Sequence, residues 1–251
     1  MKTLKTFILM LGILLTSVSL FSCLDDDDAY SADGYALGIV TVKPLSESSY
    51  YLQLDDSTTL WPVDGYIPFF GLEKERRALV NFTPLSDNIE GYDYAIQINR
   101  IDSILTKSIV EDLKDRNDEV YGTDPVRLAT YPWSQKGAWI EDGYLNIHFI
   151  SYFGGYKPHY LNLVKMDEAA SPYELEFRHH AYDDPQTSEG QGLVAFRLNS
   201  LPDTNGKTVK LKIHYRSFDG NKTVELDYNS DRMIPGGQKP TIQADELQVI
   251  N

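Results

Sequence analysis

The sequence predicts an all-β protein in which a small OB-like barrel is followed by an antiparallel β-sandwich. Apolar and polar residues alternate with a period of two through most of the chain, which is typical of half-buried strands. Turn-forming Gly, Asn, Asp and Pro residues separate these runs into many short strands. Aromatic residues make up 12% of the chain and include 17 tyrosines. Such residues favour large, half-buried sheets.

A signal peptide is predicted over residues 1–22. Lys2 and Lys5 form a charged N-terminal region, and the apolar run FILMLGILLTSVSL follows over residues 7–20. This run is shorter than the roughly 20 apolar residues that span a bilayer. Cys23 directly follows a small residue and resembles the lipidated cysteine of bacterial lipoproteins. That resemblance implies cleavage before Cys23 and a lipid bilayer as its partner through acylation. The alternative is an ordinary secretory signal with a chance cysteine.

An acidic tether is predicted over residues 23–33. It contains four consecutive aspartates, whose like charges disfavour ordered structure: Asp25, Asp26, Asp27 and Asp28. Acidic residues just after a lipidated cysteine resemble the surface-export signal of lipoproteins in the Bacteroidetes phylum. That resemblance implies the outer face of the outer membrane. Two alternatives stay open, a solvated spacer and a calcium site. The calcium site is disfavoured because consecutive aspartates without a glycine-containing loop wrap an ion poorly.

Charge and cysteine content exclude several function classes. The formal net charge is −14, whereas binding to nucleic acid requires a basic surface. Cys23 is the only cysteine, so we expect no disulfide, no thiol nucleophile and no Cys-ligated zinc. No phosphate loop or dinucleotide fingerprint occurs, and no cofactor is expected.

Residues 34–107 are predicted to form the barrel. The apolar run that begins at Ala78 is expected to end at Pro84, because proline cannot donate to a strand ladder. Between Ile98 and Ile101 the apolar face changes parity within one strand. A parity change of this kind indicates a β-bulge, which bends the sheet. About five short strands, one of them strongly bent, suit a small closed barrel.

Residues 108–125 are predicted to be a linker or a short helix between two domains. Ser108 and Glu111 match a capping box at its start. Residues 126–251 are then predicted to form the sandwich, because six or more strands each have one apolar and one polar face. That pattern is typical of antiparallel sheets with one solvated side. Residues 218–221 are expected to form the turn of a hairpin.

Six segments together resemble one family. In chain order they are YDYAIQINRIDSILTK, DPVRL, GYLNIHF, HYLNLV, ELEFRHHAYDDP and GLVAFRLN, which span residues 92–199. With the lipobox and the acidic tether before them, they resemble the NigD-like lipoproteins of Bacteroidetes. The resemblance implies an N-terminal OB domain and a C-terminal β-sandwich. It supplies no catalytic residues, and only Cys23 transfers as a functional position.

No catalytic or metal-binding residue is predicted. His179 and His180 are adjacent in a strand, so their side chains point to opposite faces and cannot share a metal. His179 lies on the apolar face and is expected to be a hydrogen-bonded core or rim residue. Asp183, Asp184 and Pro185 are expected to form a turn rather than a glycosidase carboxylate pair. The remaining histidines form no H-x-x-x-H pair: His148, His159 and His214.

Aromatic residues in loops mark candidate binding surfaces. They fall within residues 61–70, 131–133 and 152–156. The alternative is that they cover the ends of sheets or bury a contact between the domains. Ser57 and Ser103 follow aspartate in short motifs that resemble the O-glycosylation sequence of Bacteroidetes envelope proteins.

The sequence therefore predicts a lipid-anchored outer-membrane lipoprotein, exposed at the cell surface and without catalysis. Its ligand is expected to be a peptide, a protein or a glycan. Two other functions remain open. One is a bacteriocin immunity-type role, and the other is an envelope hydrolase, which requires convergent carboxylates or histidines in one cleft.

Overall fold

β-Strands make up most of the regular structure in the computed structural model, which describes residues 35–89, 91–130, 132–166 and 171–233. The predicted signal peptide, Cys23 and the acidic run lie outside the described residues. No helix in the described ranges is long and apolar enough to cross a membrane.

Five strands close the N-terminal barrel in the order β1-β2-β3-β5-β4, which confirms the OB-like prediction. All neighbouring pairs are antiparallel except β3 and β5, which are parallel. The strands are β1 (Ala36–Pro44), β2 (Tyr50–Gln53), β3 (Thr59–Pro62), β4 (Arg76–Ile89) and β5 (Tyr92–Ser103).

The parity change in β5 coincides with a bulge, as predicted. Asn81 pairs with Arg100 whereas Phe82 pairs with Ile98, so one residue of β5 has no partner in β4. This extra residue allows Ile98 and Ile101 to enter the same barrel core. The prediction that β4 ends at Pro84 was wrong. Pro84 lies beside a second register shift, where a missing N–H group is tolerated, and the strand continues.

The segment after the barrel contains less helix than the capping box indicates. Strand β6 (Leu105–Ser108) pairs with a strand of the sandwich. Ile109 is then buried in the sandwich core rather than beginning a helix at Ser108. The only α-helix of the described residues, α1 (Asn117–Tyr121), follows a 3-10 turn over Lys114–Arg116.

Two sheets form the sandwich. One has the order β10-β11-β13-β14, and the other has the order β6-β12-β9-β7 with β8 paired to β9. The remaining strands are β7 (Arg127–Leu128), β8 (Ala138–Glu141), β9 (Tyr144–Phe153), β10 (Tyr160–Lys165), β11 (Glu174–His180), β12 (Ser188–Arg197), β13 (Val209–Ser217) and β14 (Gly220–Tyr228). A 3-10 turn over Ser230–Met233 follows β14.

Most sandwich pairings are antiparallel, as predicted, and two are parallel. β11 pairs with β13 in parallel, and β12 pairs with β6 in parallel. The predicted hairpin between β13 and β14 is present, with Ser217 paired to Gly220 across a two-residue loop. The alternating apolar residues of both sheets meet in one core, which includes Leu145, Ile147, Leu163, Leu175, Phe196 and Ile213.

The polar face of β9 is buried, whereas the alternation predicts a solvated face. Asn146 and His148 are 2% and 3% exposed. The outer face of the barrel covers part of this sheet, because Ile39 and Ile104 pack with Ala195 of β12 in a separate apolar cluster. Alternation alone cannot distinguish a face in contact with water from a face in contact with another polar surface.

A buried arginine joins barrel and sandwich. Arg77 of β4 has no exposed side-chain surface. Its Nε donates to Asn146 Oδ1 at 3.1 Å and its Nη1 to Thr41 Oγ1 at 2.9 Å. Its Nη2 donates to the Glu141 carboxylate, which completes an ion pair across the contact.

Further polar contacts surround Arg77. Lys43 Nζ lies 3.2 Å from a Glu75 oxygen and 2.9 Å from an Asp142 oxygen. The Tyr144 hydroxyl donates to Glu75 at 2.6 Å. Buried charges and polar groups are stable only when they are paired, so these bonds fix how the two parts meet.

Candidate functional site

Three exposed tyrosines lie on adjoining segments at one end of the sandwich. Tyr156, Tyr160 and Tyr182 are 80%, 49% and 40% exposed. The rings of Tyr160 and Tyr182 meet edge to face, with centroids 5.3 Å apart. A shallow cavity of about 390 Å³ is lined by Lys157 and Pro158 together with these two rings. We name Tyr156, Tyr160 and Tyr182 the tyrosine patch.

A single carboxylate holds the loop that carries Tyr156. Asp184 Oδ2 accepts the backbone N–H groups of Gly154 and Gly155 at 2.5 and 3.1 Å. Its Oδ1 accepts those of Tyr156 and Lys157, both at 3.1 Å. Four successive backbone donors around one carboxylate form an anion-binding concavity, which the protein fills with its own side chain.

The hydrogen bonds to Asp184 keep it ionised. Desolvation by burial favours the neutral form, but the backbone N–H groups, among them those of Gly154 and Tyr156, outweigh that effect. The pKa of Asp184 is therefore lowered to about 2. The carboxylate is charged at neutral pH, and the loop over residues 154–157 is held in one conformation.

Two histidines continue the contact from Asp184 into the core. His159 Nε2 lies 3.2 Å from Asp184 Oδ2, and His159 Nδ1 lies 2.8 Å from His179 Nε2. The ring of Phe153 stacks on His159 with centroids 4.5 Å apart. His179 is 2% exposed, and desolvation by burial, followed by the nearby His159, lowers its pKa to about 4. His179 is therefore the buried, hydrogen-bonded histidine that the sequence indicates.

The turn that carries Tyr182 adopts an unfavourable backbone conformation. Tyr182 and Asp183 have φ values of 52° and 58°, which is uncommon for residues other than glycine. The N–H of Asp184 donates to the carbonyl of Ala181 at 3.0 Å and closes the turn. The Tyr182 ring stacks on His180, with centroids 3.7 Å apart and planes 9° apart. Strained backbone of this kind is concentrated at functional sites.

Lys157, which lines the cavity beside the patch, also supports this turn. Lys157 Nζ donates to the carbonyl oxygen of Tyr182. The loop over residues 154–157 is thus linked to the turn twice, through the Asp184 carboxylate and through Lys157. These contacts place Tyr156 and Tyr182 in fixed positions although their rings face solvent.

The hydrogen bonds of this cluster join the loop over residues 154–157 to the turn at Asp184. Asp184, His159 and His179 converge, as the hydrolase hypothesis requires, but the side chains of His159 and Asp184 are 6% and 0% exposed. The Asp184 carboxylate bonds to the backbone and to His159, and His159 bonds to His179. In the part of the chain that the structure describes, none of these bonds involves a serine, threonine or cysteine. Within the described residues, no group of three or more His, Cys, Asp or Glu could hold a metal ion.

The other histidines named in the sequence do not join this cluster. His148 Nε2 contacts Gln191 at 2.9 Å, and His214 Nδ1 contacts Thr223 at 2.9 Å. Of the predicted O-glycosylation residues, Ser57 lies in a turn and Ser103 at the end of β5, and both are exposed. These positions are sterically open, and their modification stays a prediction.

The predicted aromatic loops have different surroundings. Trp133 packs at the contact between barrel and sandwich, so it covers a buried contact. Phe69 and Tyr156 are 79% and 80% exposed, as a binding loop requires. Tyr160 and Tyr182 were not predicted from the sequence. The dipeptide Asp183-Asp184, which follows Tyr182, predicts a turn. Because turns lie at the surface, this pattern also predicts that Tyr182 is exposed.

The fold defines the class of this protein: an OB barrel joined directly to a β-sandwich. Family models match both parts, the NigD-like N-terminal OB domain over residues 39–104 and the NigD-like C-terminal beta sandwich domain over residues 108–228. The chain therefore belongs to the NigD-like family. Among curated proteins, none matches the sequence.

Solved structures of related proteins are similar over nearly their whole length. A "Putative TOXIN related protein" from Parabacteroides distasonis is 44% identical with a TM-score of 0.72, over 79% of this chain and 96% of that chain. A "NigD-like immunity protein" from Bacteroides caccae is 22% identical with a TM-score of 0.59, over 81% and 100%. A "Putative lipoprotein" from Bacteroides fragilis is 14% identical with a TM-score of 0.53, over 78% and 96%.

Proposed function

We propose that this protein is a lipid-anchored, non-catalytic binding protein of the outer-membrane surface, which contacts a peptide, protein or glycan partner through the tyrosine patch. The observation that carries the binding function is the patch itself, because its three tyrosines are exposed and two of them lie on the loop and the turn that Asp184 joins. Tyrosine is enriched at interfaces, where a large, rigid and amphipathic ring gives contact area at low entropic cost.

The anchor in this proposal is Cys23, acylated after cleavage of residues 1–22, and the acidic run after it directs export to the surface. The name of the Bacteroides fragilis relative is consistent with an anchored protein. A labelled fatty acid fed to expressing cells tests the anchor. We expect label on the wild type and none on Cys23→Ser, and equal labelling would reject acylation at this residue.

Surface exposure has a separate test. Protease added to intact cells is expected to remove the wild-type protein and to spare a variant in which Asp25–Asp28 are alanine. Equal removal of both proteins would reject the export role of the acidic run.

Site-specific photo-crosslinking in intact cells tests the patch. A benzophenone-bearing phenylalanine analogue replaces Tyr156 in the full chain, and the matched control replaces Lys222, which is exposed on β14 at the opposite edge of the same sheet. We expect a discrete adduct from position 156 that is lost when Tyr182→Ala is added. Absence of an adduct at 156, or the same adduct at 222, would contradict binding at the patch.

A bacteriocin immunity-type role is the second candidate. It is favoured by the names of the two relatives from Parabacteroides distasonis and Bacteroides caccae. In this case the partner is a protein toxin at the cell surface. The protein expressed alone in a toxin-sensitive strain is expected to protect it, and Tyr156→Ala is expected to weaken the protection. Unchanged killing with the wild type would reject this role.

A further inference from the structure

A second group of aromatic residues lies on the outside of the barrel. The rings of Tyr51 on β2 and Trp61 on β3 each contact the ring of Tyr92 on β5, with centroids 5.5 and 4.9 Å apart. Leu52 and Leu60, the neighbours of Tyr51 and Trp61, are in the barrel core. Because side chains alternate along a strand, Tyr51 and Trp61 face outward. We name Tyr51, Trp61 and Tyr92 the barrel aromatic face.

The barrel aromatic face is separate from the tyrosine patch, and at Lys43 it adjoins the polar part of the contact between barrel and sandwich. The sandwich packs on Ile39, Leu79 and Ile104 of the barrel. The three rings of the face are partly exposed. A small cavity of about 80 Å³ adjoins Trp61 and is lined by Ser48, Ser49, Tyr50, Pro62, Gly65 and Tyr66. Stacking surface and hydroxyl groups therefore occur side by side.

The charges around this face disfavour an anionic ligand. Lys43 lies opposite Tyr51 in the β1–β2 ladder, and its ammonium group forms salt bridges with Glu75 and Asp142. Asp93, next to Tyr92, accepts a hydrogen bond from Thr59 at 2.7 Å. The whole chain has a net charge of −14. A nucleic acid or a sulfated glycan would meet net negative charge, because polyanions need a positively charged groove.

The polar groups of the face suit a neutral, polyhydroxylated ligand. The hydroxyls of Tyr51 and Tyr92 are protonated donors at neutral pH, as tyrosine hydroxyls ordinarily are. Desolvation by burial raises the pKa of both further above neutrality. Sugar rings present flat C–H faces that stack on aromatic rings, and their hydroxyls pair with such donors. OB barrels use the face of their second and third strands to bind oligosaccharides and oligonucleotides, and Tyr51 and Trp61 are on those strands.

We propose that the barrel aromatic face is a binding site for a neutral oligosaccharide, stacked on Trp61 and Tyr92. This site does not depend on the tyrosine patch, so either proposal can fail without the other. Its ligand class follows from the stacking surface, the adjoining hydroxyls and the paired state of Lys43. A glycan of the cell surface or of the surroundings would supply such a ligand.

Calorimetric titration of the purified full chain tests this site. The probes are the neutral hexasaccharides of the malto-, cello-, xylo-, manno- and laminari- series, with a heparin hexasaccharide as the anionic comparison. We expect at least one neutral probe to bind and the heparin probe not to bind. Trp61→Ala is expected to weaken binding about tenfold or more, the loss typical of one stacking ring. Trp61→Phe is expected to retain part of the affinity.

Phe218→Ala removes an exposed ring outside both proposed sites and is the matched control, expected to bind as the wild type does. Tyr182→Ala distinguishes this site from the tyrosine patch. Circular dichroism melting establishes that each variant is folded. If Trp61→Ala fails to fold, the single variants Trp61→Phe and Tyr92→Ala are compared with the wild type instead. The proposal is overturned if no neutral probe binds up to about 10 mM, where affinities are too weak for function. It is also overturned if the folded variants of the face bind as tightly as the wild type, or if only Tyr182→Ala loses binding.

Discussion

Replacing Arg77 by methionine should weaken the contact between barrel and sandwich more than any surface change. Methionine keeps much of the side-chain length but removes the guanidinium that bonds to Thr41, Asn146 and Glu141. Thr41 and Asn146 are 0% and 2% exposed, so water cannot replace the lost donors without a rearrangement. The Glu141 side chain, 23% exposed, loses its ion-pair partner.

The expected loss of stability follows from the three groups that lose their hydrogen-bond donor, Thr41, Asn146 and Glu141. Removing one member of a buried ion pair costs about 3–5 kcal/mol. A buried polar group without a partner costs about 1–3 kcal/mol, and partial exposure of Glu141 moderates its share. We therefore expect the free energy of unfolding to fall by about 4 kcal/mol, a large fraction of the 5–15 kcal/mol typical of a folded domain.

Guanidinium unfolding followed by circular dichroism measures this loss. Glu141→Gln and the double variant Arg77→Met/Glu141→Gln complete a cycle, in which the double loss is expected to be smaller than the sum of the single losses. Arg100→Met is the matched control, because Arg100 pairs with Asp102 on the surface and its removal should leave the midpoint unchanged. A loss below about 1 kcal/mol for Arg77→Met would refute the argument.

Three further predictions concern the tyrosine patch and its surroundings. The pKa of His179 is lowered to about 4, so keeping this histidine neutral contributes about 3 kcal/mol to the free energy of unfolding above pH 6.5. This contribution should be lost as the pH falls from 6.5 towards 4. Acid unfolding of the wild type, compared with that of His179→Phe, measures the loss. Asp184→Asn should speed hydrogen exchange of the amides of residues 154–157 about tenfold or more, and unchanged protection would contradict the clamp. Gly122→Ala should lower the free energy of unfolding by about 3 kcal/mol, because φ is +77° and a Cβ atom would lie 2.4 Å from His180 Cβ. The control Gly65→Ala, with φ of +62° and no atom within 4 Å of the added Cβ, should lower it by only about 1 kcal/mol. Guanidinium unfolding of both variants measures the difference.

The architecture was predictable because most long strands of the described residues have a strong local signal, whereas the short strands β6, β7 and β8 do not. The parity change between Ile98 and Ile101 marks the bulge in β5, since a core residue must face inward on both sides of it. The turn between β13 and β14 is marked by its own residues. Both features depend on a few neighbouring positions, which a sequence displays directly.

Features that depend on distant contacts were not predictable in this way. Arg77 and Asn146 have the spacing of residues on a solvated face, and only the packing of barrel on sandwich buries them. Asp184 is recognisable as a turn residue, but its hydrogen bonds to residues 154–157 join segments about 30 positions apart, and no local pattern records them.

Buried polar groups do here what disulfides do in many exported proteins. Cys23 is the only cysteine, so no disulfide within the chain can fix the loops. Instead, Arg77 fixes the sandwich to the barrel, and Asp184 fixes the loop under Tyr156. A binding surface that is already ordered loses little conformational entropy when its partner arrives. In the binding function proposed for the tyrosine patch, this rigidity would favour tight binding by a small surface. Asp184→Asn is then expected to weaken the photo-crosslink from position 156, although Asp184 itself is buried.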